Sequence, residues 1–153
     1  MLARLVGLQC CWNPWTNALL VSPIASVMMP VIRNVEKLSV ADIAKTFTTL
    51  GEQARDGTLA LEDLAGGTFT VFNSGVNGAL LSTSMLTVPQ SAVLGEHVVK
   101  MRPAVVAGKV VSRPMMFCSL TYDHRLIDGR EGVTLLKSIA ETISDPCRLL
   151  RDM

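Results

Sequence analysis

The chain has two histidines. One of them, His124, stands in the segment Tyr122-Asp123-His124-Arg125-Leu126-Ile127-Asp128-Gly129-Arg130-Glu131. An imidazole ordinarily titrates near neutrality, so one that is held in place can take a proton from a thiol or hydroxyl at working pH. Asp128 and Gly129 follow, giving His-x-x-x-Asp-Gly, a candidate general base with a nearby carboxylate. Two plainer readings compete. Asp128 with Glu131 is Asp-x-x-Glu at a helix start, which is an N-cap with its capping-box partner. His124 could equally be a hydrogen-bonded histidine at a strand end. The motif falls between an apolar strand and a capped helix, where a loop is held rigidly by its scaffold, and this favours chemistry. The other histidine, His97, lies in a strand-like run beside Glu96 and Val98 and reads as structural or exposed.

The flanking elements follow from periodicity. Met115–Tyr122 is an apolar strand leading into the motif. A helix begins at Asp128, carries Val133, Leu136, Ile139, Ala140 and Ile143 as its apolar stripe, and ends at Asp145-Pro146. Earlier, Ser39 is an N-cap with Asp42 in the partner position. Val40, Ile43, Ala44, Phe47, Leu50 and Ala54 recur at helical spacing, and Gly57 is a natural stop. This pattern predicts a helix packed on a sheet. Gly66-Gly67 introduces the β-rich run Thr68–Phe72, which ends in Asn73-Ser74-Gly75. The glycines between 75 and 78 predict a loop that approaches another backbone closely. Ser91–Met101 and Lys109–Val111 read as further strands, with Ala107-Gly108 separating the second from Val105-Val106. Val27–Ile32 reads as an edge strand or a short connection. This order predicts a mixed α/β domain with a largely antiparallel or mixed sheet.

Bulk properties narrow the function. The 153 residues are 49% apolar and 18% charged, enough for one domain with a core and unlike a disordered chain. A net charge of +1 and 5% aromatics give no footprint for nucleic acid or for an anionic membrane. Cys10, Cys11, Cys118 and Cys147 fit no zinc spacing, so no metal is expected, and Cys118 reads as a buried, inert thiol. The first 35 residues lack Asp and Glu. They do not show the arginine enrichment of an organelle transit peptide. The apolar run Ala18–Ile32 is interrupted by Pro23 and Pro30 and falls short of the roughly 20 residues a bilayer span needs. Cys11-Trp12-Asn13-Pro14-Trp15 is a turn-like cluster to which no mechanism attaches.

The motif segment resembles the active-site segment of the dihydrolipoamide acyltransferases, the E2 components of 2-oxo acid dehydrogenase complexes. Further blocks match in order and spacing: Pro30–Glu36, Gly66–Thr70, Pro89–Gly95, Arg113–Met116 and the ending Asp145–Leu150. Leu126-Ile127 and Gly129-Arg130-Glu131 look like the succinyltransferase branch, which serves the 2-oxoglutarate dehydrogenase complex. Chloramphenicol acetyltransferase shares the His-x-x-x-Asp-Gly core but not these flanks. The resemblance implies a chloramphenicol-acetyltransferase-like α/β acyltransferase fold, with residues 27–153 as the C-terminal part of the catalytic domain. Residues 1–26 are an atypical leader, and the lipoyl and peripheral-subunit-binding regions fall outside the sequence.

The same resemblance implies that a succinyl group moves between dihydrolipoyl-lysine and coenzyme A in the tricarboxylic acid cycle, with no metal. His124 would be the general base, and Asp128 would hold the loop through a charged partner. The two substrates would enter a channel between adjacent subunits of a trimer. No individual coenzyme-A-binding residue is assigned. The compartment would be the mitochondrial matrix in a eukaryote and the cytoplasm otherwise. One departure bears on chemistry. The family places a Ser or Thr hydroxyl just before the Asn that ends the Gly-Gly-Thr-Phe-Thr strand, as donor to the oxyanion, an interaction commonly worth about 3 kcal/mol. Here that position is Phe72, and Asn77-Gly78 and Thr87-Val88 also depart from the pattern. The expectation is an intact histidine loop facing an altered, incomplete wall. A non-catalytic assembly protein that binds full-length E2 subunits is the alternative. The apolar faces around Ile43, Phe47 and Leu136 are expected to lack partners within the chain.

Overall fold

A computed structural model describes residues 28–145 in full and the backbone of residues 7–11. The cluster from Trp12 to Trp15, the first part of the apolar run 18–27 and the tail from Pro146, with Cys147, lie outside the described residues. The described residues form five strands and two helices: β1 (Gly7–Cys11), α1 (Val40–Asp56), β2 (Phe69–Asn73), β3 (Ala92–Glu96), β4 (Lys100–Val106), β5 (Lys109–Tyr122) and α2 (Gly129–Ser144). Single 3-10 turns occupy Val35–Lys37, Leu61–Leu64 and Gly75–Asn77.

β5 is the spine of the sheet. It pairs antiparallel with β1, β3 and β4, and β2 lies parallel beyond β3. The sheet is therefore mixed, as the element order predicts. Lys109–Val111 and Met115–Tyr122 are one strand rather than two. Pro114 sits opposite Met101, just before β1 joins at Met115, so its missing N–H is tolerated. Ala107 and Gly108 both take positive φ, 49° and 77°, the signature of a tight type I′ hairpin turn between β4 and β5.

The predicted strand Ser91–Met101 is broken. Glu96 pairs with Cys118, but Lys100 pairs with Met115. His97, Val98 and Val99 thus stand opposite only Met116 and Phe117, which is a β-bulge that re-aims the side chains within it.

Alternation along the strands sorts the two faces of the sheet. Ala92, Leu94, Cys118, Leu120 and Tyr122 face α2 and form the core with Leu136 and Ala140. Cys118 is buried, as expected. Leu136 is 0% exposed, which corrects the expectation that it lacks a partner.

α1 starts and stops where the sequence predicts. Ser39 Oγ accepts the Asp42 N–H at 3.2 Å, and Gly57 closes the helix at φ 69°. Its packing differs from expectation, because no residue of α1 is buried and Ile43, Phe47 and Leu50 are only half-buried. Periodicity fixes which side of a helix is apolar but carries no information about what covers that side.

Candidate active site

His124 sits on the loop between β5 and α2, held by two local locks. The first is Asp123. Its N–H donates to Ser91 O at 2.9 Å, and its own backbone carbonyl accepts from the N–H groups of Leu126 and Ile127 at 3.0 Å. Its buried carboxylate receives Arg125 through three donors. The Arg125 backbone N–H and Nε reach Oδ1 at 3.0 Å, and Nη2 reaches Oδ2 at 2.5 Å. This charge-assisted clamp, the guanidinium first and the Arg125 N–H second, holds the Asp123 carboxyl at about 2, against a partial opposing effect of burial.

The second lock is Asp128. Its Oδ1 accepts the Glu131 N–H at 2.7 Å, and Glu131 Oε2 accepts the Asp128 N–H at 3.2 Å. Both halves of the capping box are therefore in place at the start of α2. Asp128 is thus the N-cap of α2. Among the described residues it has no ion-pair partner, and its charge faces the helix N-terminus instead. Between the locks the His124 ring is exposed, tilted 35° to Tyr122 with ring centroids 5.8 Å apart. His124 and Asp128 share the loop without a hydrogen bond between them among the described residues. Accessible to solvent and flanked by fixed backbone, His124 can exchange a proton with a ligand that arrives from outside.

The opposite face of the sheet carries a cleft of about 380 Å³, lined by Met29, Thr70, Phe72, Ser74, Ser82, Thr83, Ser84, Met85, Thr87 and Val93. Thr70 pairs with Val93 and Phe72 with Gly95, which places them on the face away from α2. The Phe72 ring belongs to this wall, where the family pattern has a hydroxyl. Among the described residues no charged side chain lines the cleft. Apolar walls with a hydroxyl floor suit a neutral arm carrying a carbonyl rather than phosphates.

Beneath the cleft lies a polar network that the sequence reading missed. His97 is 2% exposed. Its Nδ1 donates to Phe117 O at 2.8 Å, which leaves Nε2 to accept the Ser82 N–H at 2.7 Å. Ser82 Oγ lies 3.1 Å from the same nitrogen and 3.0 Å from Ser74 Oγ, which in turn donates to Glu96 O at 3.1 Å. Ser119 Oγ donates to Ser82 O at 3.1 Å. His97 is thus the structural histidine that its strand setting suggested, seated in the bulge. Gly75 makes the same loop fit. A Cβ there would stand 2.5 Å from the His97 carbonyl carbon, so the predicted close backbone approach is present. The available signals were a lone histidine in an apolar strand and the run Ser82-Thr83-Ser84, neither specific without the fold.

Within one chain the two features do not meet. Phe72 lies three positions along and two strands across from Tyr122, roughly 10 Å in each direction, and His124 continues past the other end. Among the described residues no group of three or more His, Cys, Asp or Glu could hold a metal ion. No helix among them is long and apolar enough to cross a membrane.

Comparison with known proteins places this geometry. The family 2-oxoacid dehydrogenases acyltransferase (catalytic domain) matches residues 21–151. The dihydrolipoyllysine-residue succinyltransferase component of the mitochondrial 2-oxoglutarate dehydrogenase complex of Saccharomyces cerevisiae is 50% identical over 94% of this chain and 31% of its own length. The bovine mitochondrial protein is 54% identical over 83% and 28%, and the Haemophilus influenzae protein 50% over 92% and 34%. The chain thus spans about a third of the length of the curated relatives it matches. Among solved structures, Azotobacter vinelandii dihydrolipoamide acetyltransferase superposes with a TM-score of 0.73 at 34% identity, covering 79% of this chain and 50% of that one. A probable dihydrolipoamide acetyltransferase from Listeria monocytogenes gives 0.73 at 30% identity, covering 91% and 58%. The fold is that of E2 catalytic cores, and the chain belongs to the 2-oxoacid dehydrogenase acyltransferase catalytic-domain family.

Proposed function

We propose that this chain is the C-terminal part of a succinyltransferase catalytic domain, with residues 27–153 within that part. His124 is its general base. The substrates are dihydrolipoyl-lysine, carried on another domain, and coenzyme A, and the work is that of the 2-oxoglutarate dehydrogenase complex. The eukaryotic relatives are named mitochondrial, which supports a matrix location in a eukaryote.

The observation that carries this reading is the exposed His124 clamped between Asp123–Arg125 and the Asp128 cap. The imidazole takes the proton of the attacking thiol. The thiolate forms a new C–S bond to the thioester carbonyl, the tetrahedral oxyanion collapses, the old C–S bond breaks, and the departing thiolate recovers the proton from the imidazolium. Spacing adds support. The Azotobacter acetyltransferase structure concerns a serine, a histidine and an asparagine in the catalytic mechanism. Their separations along the chain are those that divide Phe72, His124 and Asp128 here.

The distance between Phe72 and His124 within one chain means that a second copy or a full-length subunit brings a cleft to each histidine. Cores of multienzyme complexes among the structural neighbours support such assembly. With Phe72 in place of the family's hydroxyl, the purified chain given succinyl-CoA and dihydrolipoamide turns over slowly or not at all. A near-normal rate from a monomeric form of the chain would contradict the need for an outside wall.

A further inference from the structure

Ser84 is the one hydroxyl of the cleft network that is buried without a hydrogen-bond partner among the described residues. Its neighbours are occupied: Ser74 with Glu96 O, Ser82 with His97 and Ser74, and Ser119 with Ser82 O. A buried hydroxyl left unpaired is disfavoured, and one that lines a cleft has its natural partner in a ligand.

Its position is specific. A Cβ on Gly95 would lie 2.5 Å from Ser119 Oγ and 3.5 Å from Ser84 Oγ. The Ser84 hydroxyl thus stands over the bare backbone of Gly95, the residue paired with Phe72. The loop that carries it is tied to the sheet through Ser82 and His97, whose ring the bulge turns inward.

We propose that Ser84 contacts substrate: its O–H donates to the carbonyl oxygen of a thioester seated in the cleft, beside the position where Phe72 offers no donor. His97 acts through Ser82 as the residue that positions it. The inference rests on the acyl-transfer reading, and it assigns the neutral thioester group, not the free carboxylate of a succinyl chain, to this uncharged cleft.

The probe is S-succinyl-dihydrolipoamide with a 13C-labelled thioester carbonyl, titrated into the full chain and followed by isotope-edited infrared spectroscopy. The wild-type chain lowers the carbonyl stretching frequency. Ser84→Ala removes that shift and weakens binding up to about tenfold, while Ser84→Thr retains most of both. Ser84→Ala leaves the thermal midpoint unchanged or raised, because an unpaired hydroxyl has been removed. Phe72→Ser in the Ser84→Ala background restores a shift. His97→Ala loses the shift, and His97→Gln, which keeps an acceptor for the Ser82 N–H, recovers part of it. Equal shifts in wild type and Ser84→Ala, or no saturable binding by the wild type, overturn the proposal. Saturable binding with a Ser84-dependent shift but no acyl transfer in any assembly sinks the acyltransferase reading and leaves the Ser84 contact standing.

Discussion

The loop between β5 and α2 and the loop between β2 and β3 hang from the same sheet, yet they are held by opposite means. The first is fixed by partners within a few residues: Arg125 on Asp123, and Glu131 with Asp128. The second is fixed by contacts distant in sequence: Ser82 on His97, Ser119 on Ser82, and Gly75 against the His97 backbone. The first leaves His124 in solvent. The second covers His97 of the bulge and exposes a cleft. Local charge chemistry presents an exposed imidazole, and a long-range polar network shapes a wall.

Breaking the second loop has the larger effect. His97→Ala strips the partner from the buried Ser82 N–H and Phe117 carbonyl and destabilises the chain by about 3 kcal/mol, read as a lowered midpoint in urea. A loss below about 1 kcal/mol would show that the network is not what holds this wall. Asp128→Ala removes only a helix cap and costs about 1 kcal/mol. Its effect is confined to α2 and is read by hydrogen exchange at the amides of Arg130 to Val133.

Acid separates the loops further. Asp123 is held at about 2 against an ordinary 3.8, so the folded chain binds fewer protons there than the unfolded chain. Its stabilising contribution is present above about pH 4 and is lost as pH falls through about 2. Wild type therefore loses its advantage over Asp123→Asn across that window, as measured by stability against pH. Identical profiles for the two proteins would remove the clamp from the account.

The contrast also explains what was legible in the sequence. Ser39, Gly57, Asp128 and Glu131 announced their helix ends because caps act within a turn. The motif loop was readable for the same reason, and Phe72 was found at its strand position by its neighbours in the chain. The bulge was not legible, because one extra residue in β3–β4 appears only when the register on β5 is known. Ser84 was not legible either, since its meaning depends on Gly95 lying beneath it and on the other serines being occupied. The Asp-x-x-Glu spelling at Asp128 announced the cap, and no charged partner for Asp128 stands among the described residues. For α1, the apolar face was correctly drawn, but its cover lies beyond what periodicity encodes.

The proposed site joins the exposed His124 as base to a facing wall from another copy. His124→Ala changes stability by no more than about 0.5 kcal/mol, because the side chain is exposed, so loss of activity in that variant is not loss of fold. The most direct measurement mixes this chain with full-length E2 core subunits in which the histidine equivalent to His124 is replaced by alanine. Succinyl transfer from succinyl-CoA to dihydrolipoamide is then assayed in the mixed particle. The wild-type chain is expected to restore transfer, and the His124→Ala chain, incorporated equally well, to restore at least about a hundredfold less. Equal restoration by both chains, or none by the wild type despite incorporation, would contradict it and favour an assembly role without catalysis.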